Sequence, residues 1–355
     1  GEPAGGPDAG ATLRVPELPP PPAAPTFADD PTTAARRELG RAIYFDPRLS
    51  GSGKTSCDAC HVHNTSLQDN LPLSTPDRSY PADAPTVSRN TPSFVGLALA
   101  PIFRWDGSHT DLVEVLAFPF AEPNMNTARL PAGSAANDVP AAQAALAHKL
   151  TVEIPGYRAR FQAAYGVDLT AVAPAEAWRL VGRALRAYLA DLVPGPGPFD
   201  RWNAGDDSAM DAAAVRGLAV FRGDGRCVAC HHGAMLTDYE FHNVSSAPPR
   251  ADGTRADEGR FLITGAQDDR GAFLTPGLRT VYDTSPYFHD GSRLGLRDVI
   301  RHFASPAVTA DPNHDGVFAT PLALTDAQIT DLVAFLKALR GPAVIAEPPA
   351  PGSLP

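Results

Sequence analysis

Long apolar runs are missing from this sequence. No stretch reaches the roughly 20 residues that a helix needs to cross a bilayer, so no membrane-spanning helix is expected. Basic charge is short as well: 30 Lys and Arg stand against 40 Asp and Glu, for a formal net charge of -10. Nucleic-acid binding needs a concentrated positive face, and that function class is excluded. Strand signals are scarce, which points to an all-α protein. Methionine occurs only three times, as Met125, Met210 and Met235, and cysteine only four times. The first residues do not read as an export signal, so export would require one already removed.

What is plentiful is proline and glycine, 37 and 30 residues, which predicts long irregular connections between helices. A chain of 355 residues is long for one core and comfortable for two. The expected organisation is a flexible Pro/Gly-rich arm at residues 1–30, one domain at 31–194, a second at 195–345 and a tail at 346–355. Such an arm suits a lipid-anchored tether or any solvated segment. Apolar spacing and capping residues place helices near 31–45, 111–117, 140–150, 155–165, 174–192, 209–221, 296–303 and 325–339.

All four cysteines fall into two copies of one motif, Cys57-Asp-Ala-Cys60-His61 and Cys227-Val-Ala-Cys230-His231. This C-x-x-C-H spacing marks covalent attachment of c-type haem. Two thiols reach the two vinyl groups of one porphyrin, and the adjacent imidazole becomes the proximal iron ligand. A shared zinc site would need the two motifs together, yet they lie 227 − 57 = 170 positions apart. A thioredoxin-like pair does not explain His61 and His231. Two haem c groups are therefore expected, and because such haem is attached outside the cytoplasm, a periplasmic, exported or surface-anchored bacterial protein follows. The surroundings repeat too: Leu39-Gly40-Arg41-Ala42-Ile43-Tyr44-Phe45 precedes the first motif and Arg216-Gly217-Leu218-Ala219-Val220-Phe221 the second. The fold expected is two tandem cytochrome c-like haem domains with long loops.

Several stretches resemble the bacterial di-haem cytochrome c peroxidase and MauG family over residues 39–339. They are Leu39-Gly40-Arg41 with Phe45-Asp46 and Leu49-Ser50, Trp105-Asp106-Gly107, Phe199-Asp200-Arg201-Trp202, Thr275-Pro276-Gly277-Leu278-Arg279, and Pro286-Tyr287-Phe288-His289-Asp290-Gly291-Ser292. The resemblance implies an N-terminal haem that meets hydrogen peroxide and a C-terminal haem that handles electrons, with Trp105 between them. It implies a partner that is either a small electron-donor protein or a protein substrate. It also implies Ca²⁺ between the domains at Asn90, Thr284 and Pro286, and Pro119 in the distal pocket of the first haem.

The sequence departs from that family in three places. The loop at 72–85 has no His to cap the first iron, and His63 is too close to the proximal ligand to cross over, so a five-coordinate or water-bound haem is expected. The distal Glu that moves a proton between peroxide oxygens falls on Met125 or Asn124, depending on alignment, with Glu122 nearby. Glu122 could take over that role, or Met125 could ligate the iron. At the second haem the family's Met or Tyr ligand falls on Phe303, which cannot bind iron. His302 can, but neighbouring residues on a helix point about 100° apart, so it would need the helix to rotate or slip. His232, His242 and His289 are expected as packing or propionate contacts. Either a peroxide-reactive oxidoreductase or a non-peroxidatic electron-transfer or sensing protein fits these departures.

Overall fold

The computed structural model describes residues 12–28, 30–74, 88–129 and 138–355. Ten α-helices are found among the described residues: α1 Ala34–Phe45, α2 Leu112–Ala117, α3 Val139–His148, α4 Gly156–Tyr165, α5 Pro174–Leu189, α6 Pro198–Asn203, α7 Ala212–Arg222, α8 Phe261–Thr264, α9 Leu296–Phe303 and α10 Asp326–Ala338. The one sheet described is minimal, β1 Phe241–His242 antiparallel to β2 Phe273–Leu274. No described helix is long and apolar enough to cross a membrane. Eight of the ten helices were legible as periodic segments. The unforeseen two, α6 and α8, are four to six residues long.

Capping explains where the helices begin. The Thr33 hydroxyl accepts from the Arg36 amide at 3.3 Å at the head of α1, and Asp211 accepts from Ala214 at 2.7 Å at the head of α7. Thr325 and Gln328 form a reciprocal capping box on α10. Each cap satisfies amides that have no partner within their own helix.

Two apolar cores organise the chain. The first gathers Leu39, Ile43 and Tyr44 of α1 with Trp178, Val181 and Leu185 of α5. The second gathers Leu218 and Phe221 of α7 with Leu332, Phe335 and Leu336 of α10. Both rest on the same contact. A methyl group at Gly40 would overlap the Ala184 carbonyl of α5, and one at Gly217 would overlap the Asp331 carbonyl of α10. In each pair a glycine lets two helix backbones approach more closely than any side chain allows.

The chain ends cross over. Residues 12–28 do not form the free arm expected of them: Val15 and Leu18 are buried in the second core. Asn203 fixes this stretch, its Oδ1 accepting from the Val15 amide at 2.7 Å and its Nδ2 donating to the Val15 and Leu18 carbonyls at 3.2 and 3.1 Å. Proline restricts the unfolded chain here, so ordering the segment costs less entropy than composition alone suggests. Next along the chain, buried Asp30 accepts from Arg36, Arg183 and Arg186 at 2.6, 2.6 and 2.7 Å. At the other end Ala346 is buried in the first core, and its amide donates to the His63 carbonyl at 3.1 Å. The expected tail is thus part of the first core. Residues 1–11 lie outside the described residues.

Candidate functional site

Both Cys-Cys-His motifs fold into the same short turn. In the first, the amides of Cys60 and His61 donate to the Cys57 carbonyl at 3.3 and 2.9 Å; in the second, those of Cys230 and His231 donate to the Cys227 carbonyl at 3.3 and 2.9 Å. None of the four cysteines is in a disulfide. Burial pushes the thiols of Cys57 and Cys227 up to about 12 and that of Cys60 up to about 11.

The two histidines are prepared alike. His61 Nδ1 lies 3.3 Å from the Leu67 carbonyl, and His231 Nδ1 lies 3.0 Å from the Leu236 carbonyl. A carbonyl only accepts, so the proton sits on Nδ1, which at His231 leaves the Nε2 lone pair for a metal; the His61 ring has a second backbone partner in Pro92. Burial lowers the basicity of both rings, that of His61 to about 4, and each is a neutral imidazole at neutral pH. The first ring stacks face to face on Phe94, centroid to centroid 3.4 Å. The Tyr44 hydroxyl donates to the His61 carbonyl and holds the motif against α1.

A cavity of about 360 Å³ opens beside the second motif, lined by Cys227, Cys230, His231 and a largely apolar wall. Paired thiols, a neutral Nε2 and an apolar chamber beside them fit a covalently held haem. Trp105, Asn90, Thr284, Pro286 and Phe303 reach the same cavity. The Trp105 indole donates to the Asn90 carbonyl at 2.8 Å, and its own carbonyl accepts from the Leu274 amide at 2.8 Å. Asn90 spends its Nδ2 on the carbonyls of Leu71 and Pro72, at 2.8 and 3.2 Å, so Oδ1 is its acceptor.

Charged clamps that sequence reasoning missed hold this region. Arg89 Nη1 donates to Asp106 at 2.6 Å, and its Nε and Nη2 donate to Asp257 at 2.6 and 2.9 Å. It thereby ties the Trp-Asp-Gly loop to the second half of the chain. Burial would raise both carboxyls, but the hydrogen bonds and charge of Arg89 hold them below the usual carboxylate range. Fully buried Arg279 donates to Asp200 at 2.6 and 2.8 Å, to the Ala234 carbonyl at 2.8 Å and to the Pro19 carbonyl. These partners sit in stretches already singled out, Phe-Asp-Arg-Trp and Thr-Pro-Gly-Leu-Arg, but nothing in the spacing paired them. His242 stands between Asp315 and Asp238 at 2.5 and 2.9 Å, near Cys230. His289 stacks on Phe273 at 3.7 Å.

The distal candidates are placed as follows. Glu122 Oε1 accepts from Arg104 Nη1 at 2.8 Å, and the Arg104 guanidinium lies 4.9 Å from the centre of the Phe118 ring, next to Pro119. The turn continues with the Met125 and Asn126 amides on the Glu122 carbonyl, at 3.2 and 2.7 Å. Met125 is buried in the first core. The expectation for His302 is corrected by its surroundings: its Nε2 is engaged by the Val244 carbonyl at 2.7 Å, its Nδ1 faces Arg293 at 3.4 Å, and Phe303, not His302, lines the cavity. The helix has neither rotated nor slipped. Residues 75–85 of the 72–85 loop, expected to lack a capping His, lie outside the described residues.

Residues 34–208 match the family model of the di-haem cytochrome c peroxidases. The chain is 33% identical over 352 residues to the methylamine utilization protein MauG of Methylorubrum extorquens, covering 96% of this chain and 87% of that protein. It is 30% identical over 322 residues to the cytochrome c551 peroxidase of Nitrosomonas europaea, covering 90% and 84%. Among solved structures, a MauG-like protein associated with microbial copper homeostasis superposes with a TM-score of 0.72 at 25% identity, covering 96% of this chain and 98% of that one.

Proposed function

The chain belongs to the di-haem cytochrome c peroxidase family, the group that includes MauG, and from that premise we propose how this peroxidase-class oxidoreductase divides its work between two haem c domains in tandem. Bound haem supplies the iron that reacts with hydrogen peroxide at the first site and stores electrons at the second. Reduction of peroxide consumes two electrons and two protons and yields two waters, so the protein must deliver both.

His61 and His231 would hold the irons of the two haems. Glu122 moves the proton between the two peroxide oxygens with Oε2, while Arg104 fixes Oε1 and aims the carboxyl. Pro119 excludes water beside it, and Trp105 conducts electrons between the domains. The Asn90 side chain and the Thr284 and Pro286 carbonyls would hold Ca²⁺, whose preference is for such oxygen donors, beside Trp105. The electrons come from a small redox protein or from a protein that is itself the oxidised substrate, in the periplasm or at the cell surface.

The observation that carries this reading is the position of Trp105. It lines the cavity of the second motif, and its neighbour Arg104 grips the acid candidate of the first. Trp105→Phe should leave both haems attached and slow electron exchange between them after rapid mixing with one equivalent of peroxide. Exchange at the wild-type rate would exclude Trp105 as the conductor.

One observation favours the rival reading, a non-peroxidatic electron-transfer or sensing protein: Glu122 is paired with Arg104. Under that reading peroxide produces no turnover with reduced cytochrome c, and replacing Met125 converts a low-spin haem to high-spin.

A further inference from the structure

The turn that follows each haem motif is built around a leucine in an unfavourable backbone conformation. Leu67 and Leu236 have φ of 57° and 55°, in the left-handed region that a side chain disfavours, and both are fully buried. Their carbonyls are the ones that accept from Nδ1 of His61 and His231. A backbone in this region persists only where its surroundings hold it. The braces on each turn therefore decide how firmly the carbonyl faces the imidazole.

Those braces differ between the two motifs. The first turn is held from nearby: the Ser93 hydroxyl donates to the Ser66 carbonyl at 2.6 Å, and the Thr65 hydroxyl donates to the Gln68 carbonyl. The second is held from the far end of the chain. Its Gly233 amide donates to the Glu17 carbonyl at 3.0 Å. Arg279 Nε donates to the Ala234 carbonyl at 2.8 Å, while its Nη2 donates to the Pro19 carbonyl, 260 residues away. The Met235 carbonyl accepts from the Leu278 amide at 3.3 Å without help from that segment. Residues 14–19 are themselves anchored, by the three side-chain bonds of Asn203, by burial of Val15 and Leu18, and by the pairing of Glu17 with Arg222 at 2.7 Å.

We infer that residues 14–19 are a positioning strap for His231. By fixing the 233–236 turn they set the hydrogen bond from Nδ1 to the Leu236 carbonyl, and with it the reduction potential of the second haem. A firmly held acceptor makes the imidazole a stronger donor and favours the ferric state. Slackening the strap therefore raises the potential. The inference rests on haem attachment at the second motif, not on peroxide chemistry at the first.

The test is a potentiometric titration of the holoprotein, followed in the visible band of reduced haem c, on wild type, Val15→Ala and Asn203→Ala. The wave displaced in His231→Met is that of the second haem. Val15→Ala trims the buried face of the strap, and Asn203→Ala removes its side-chain bonds. Gly217→Ala, which loosens the contact of α7 with α10 and leaves the strap alone, controls for general destabilisation. The second-haem wave should move to higher potential in both strap variants, with the first unmoved, and Gly217→Ala should lower the melting temperature and move neither. Val15→Ala is mild enough to carry the test if Asn203→Ala does not fold. Wild-type potentials in Val15→Ala would reduce the strap to a structural brace and overturn the inference. So would equal shifts of both waves, or the same shift in Gly217→Ala. Failure of the peroxidase reading appears separately, as absent turnover with these waves unchanged.

Discussion

Replacing Asp200 with Asn should destabilise the second half of the protein by about 3–5 kcal/mol, the range measured when one partner of a buried ion pair is removed. The structure puts this pair at the severe end of such cases. Arg279 and Asp200 are 1% and 0% exposed, so water cannot replace the lost partner. The carboxylate makes two bonds to one Arg279 nitrogen, at 2.6 and 2.8 Å, and also accepts from the Gly197 amide at 2.7 Å at the head of α6. The remaining partners of Arg279 are the carbonyls of Ala234 and Pro19, which compensate less of its charge. At about 2–4 °C per kcal/mol for a domain of this size, the melting temperature of the holoprotein should fall by about 6–20 °C. Far-UV circular dichroism together with the Soret band would record it. The double variant Asp200→Leu with Arg279→Met removes both charges and should recover most of the loss. A fall of less than about 1 kcal/mol in Asp200→Asn, or a double variant no better than the single one, would refute the reasoning.

Three further outcomes are expected. Glu122→Gln should lower kcat/KM for peroxide by about 10²–10⁴-fold, the usual range for a lost acid–base group, with haem content unchanged; unaltered steady-state kinetics would remove Glu122 from the mechanism. Asp106 and Asp257 have depressed carboxyl pKa values because of Arg89, so their contribution to stability is fully present above the ordinary carboxylate range and is lost as pH falls through the folded values. Arg89→Met should flatten the acid limb of the stability profile, seen in guanidinium unfolding between about pH 3 and 6. Gly217→Ala should destabilise more than a typical surface substitution, because the added methyl overlaps the Asp331 carbonyl of α10, and thermal unfolding would show it.

The helices that were legible in the sequence are those with an apolar period and a local cap. Thr33, Asp211 and Thr325 each act within three residues of themselves. The two haem motifs were legible for the same reason, since their chemistry lies within five consecutive residues. Contacts that close over long separations were not. Arg89 and Asp257 are 168 residues apart, and Arg279 and Asp200 are 79 apart; nothing local in either stretch specifies the other. The stretch around Val15 and Leu18 was misjudged because its prolines resemble a solvated linker, while the groups that hold it, Asn203 and Arg279, lie far away in the second half of the chain. At the second haem, helical phase favoured Phe303 over His302, and the structure keeps that phase: the ring faces the cavity and the imidazole faces Val244. At the first haem, one-dimensional alignment could not choose among Glu122, Asn124 and Met125, because the choice depends on a turn closed by the Glu122 carbonyl and on the guanidinium of Arg104.

The central claim is that peroxide reacts at the iron held by His61. Its most direct test is one equivalent of hydrogen peroxide added to the ferric holoprotein by rapid mixing, with the Soret band and the electron paramagnetic resonance spectrum recorded for wild type and Glu122→Gln. The account predicts a prompt Soret change with loss of high-spin ferric signal in wild type, and a markedly slower change in the variant. An unchanged Soret band and spectrum in wild type, with no turnover of reduced cytochrome c, would contradict it.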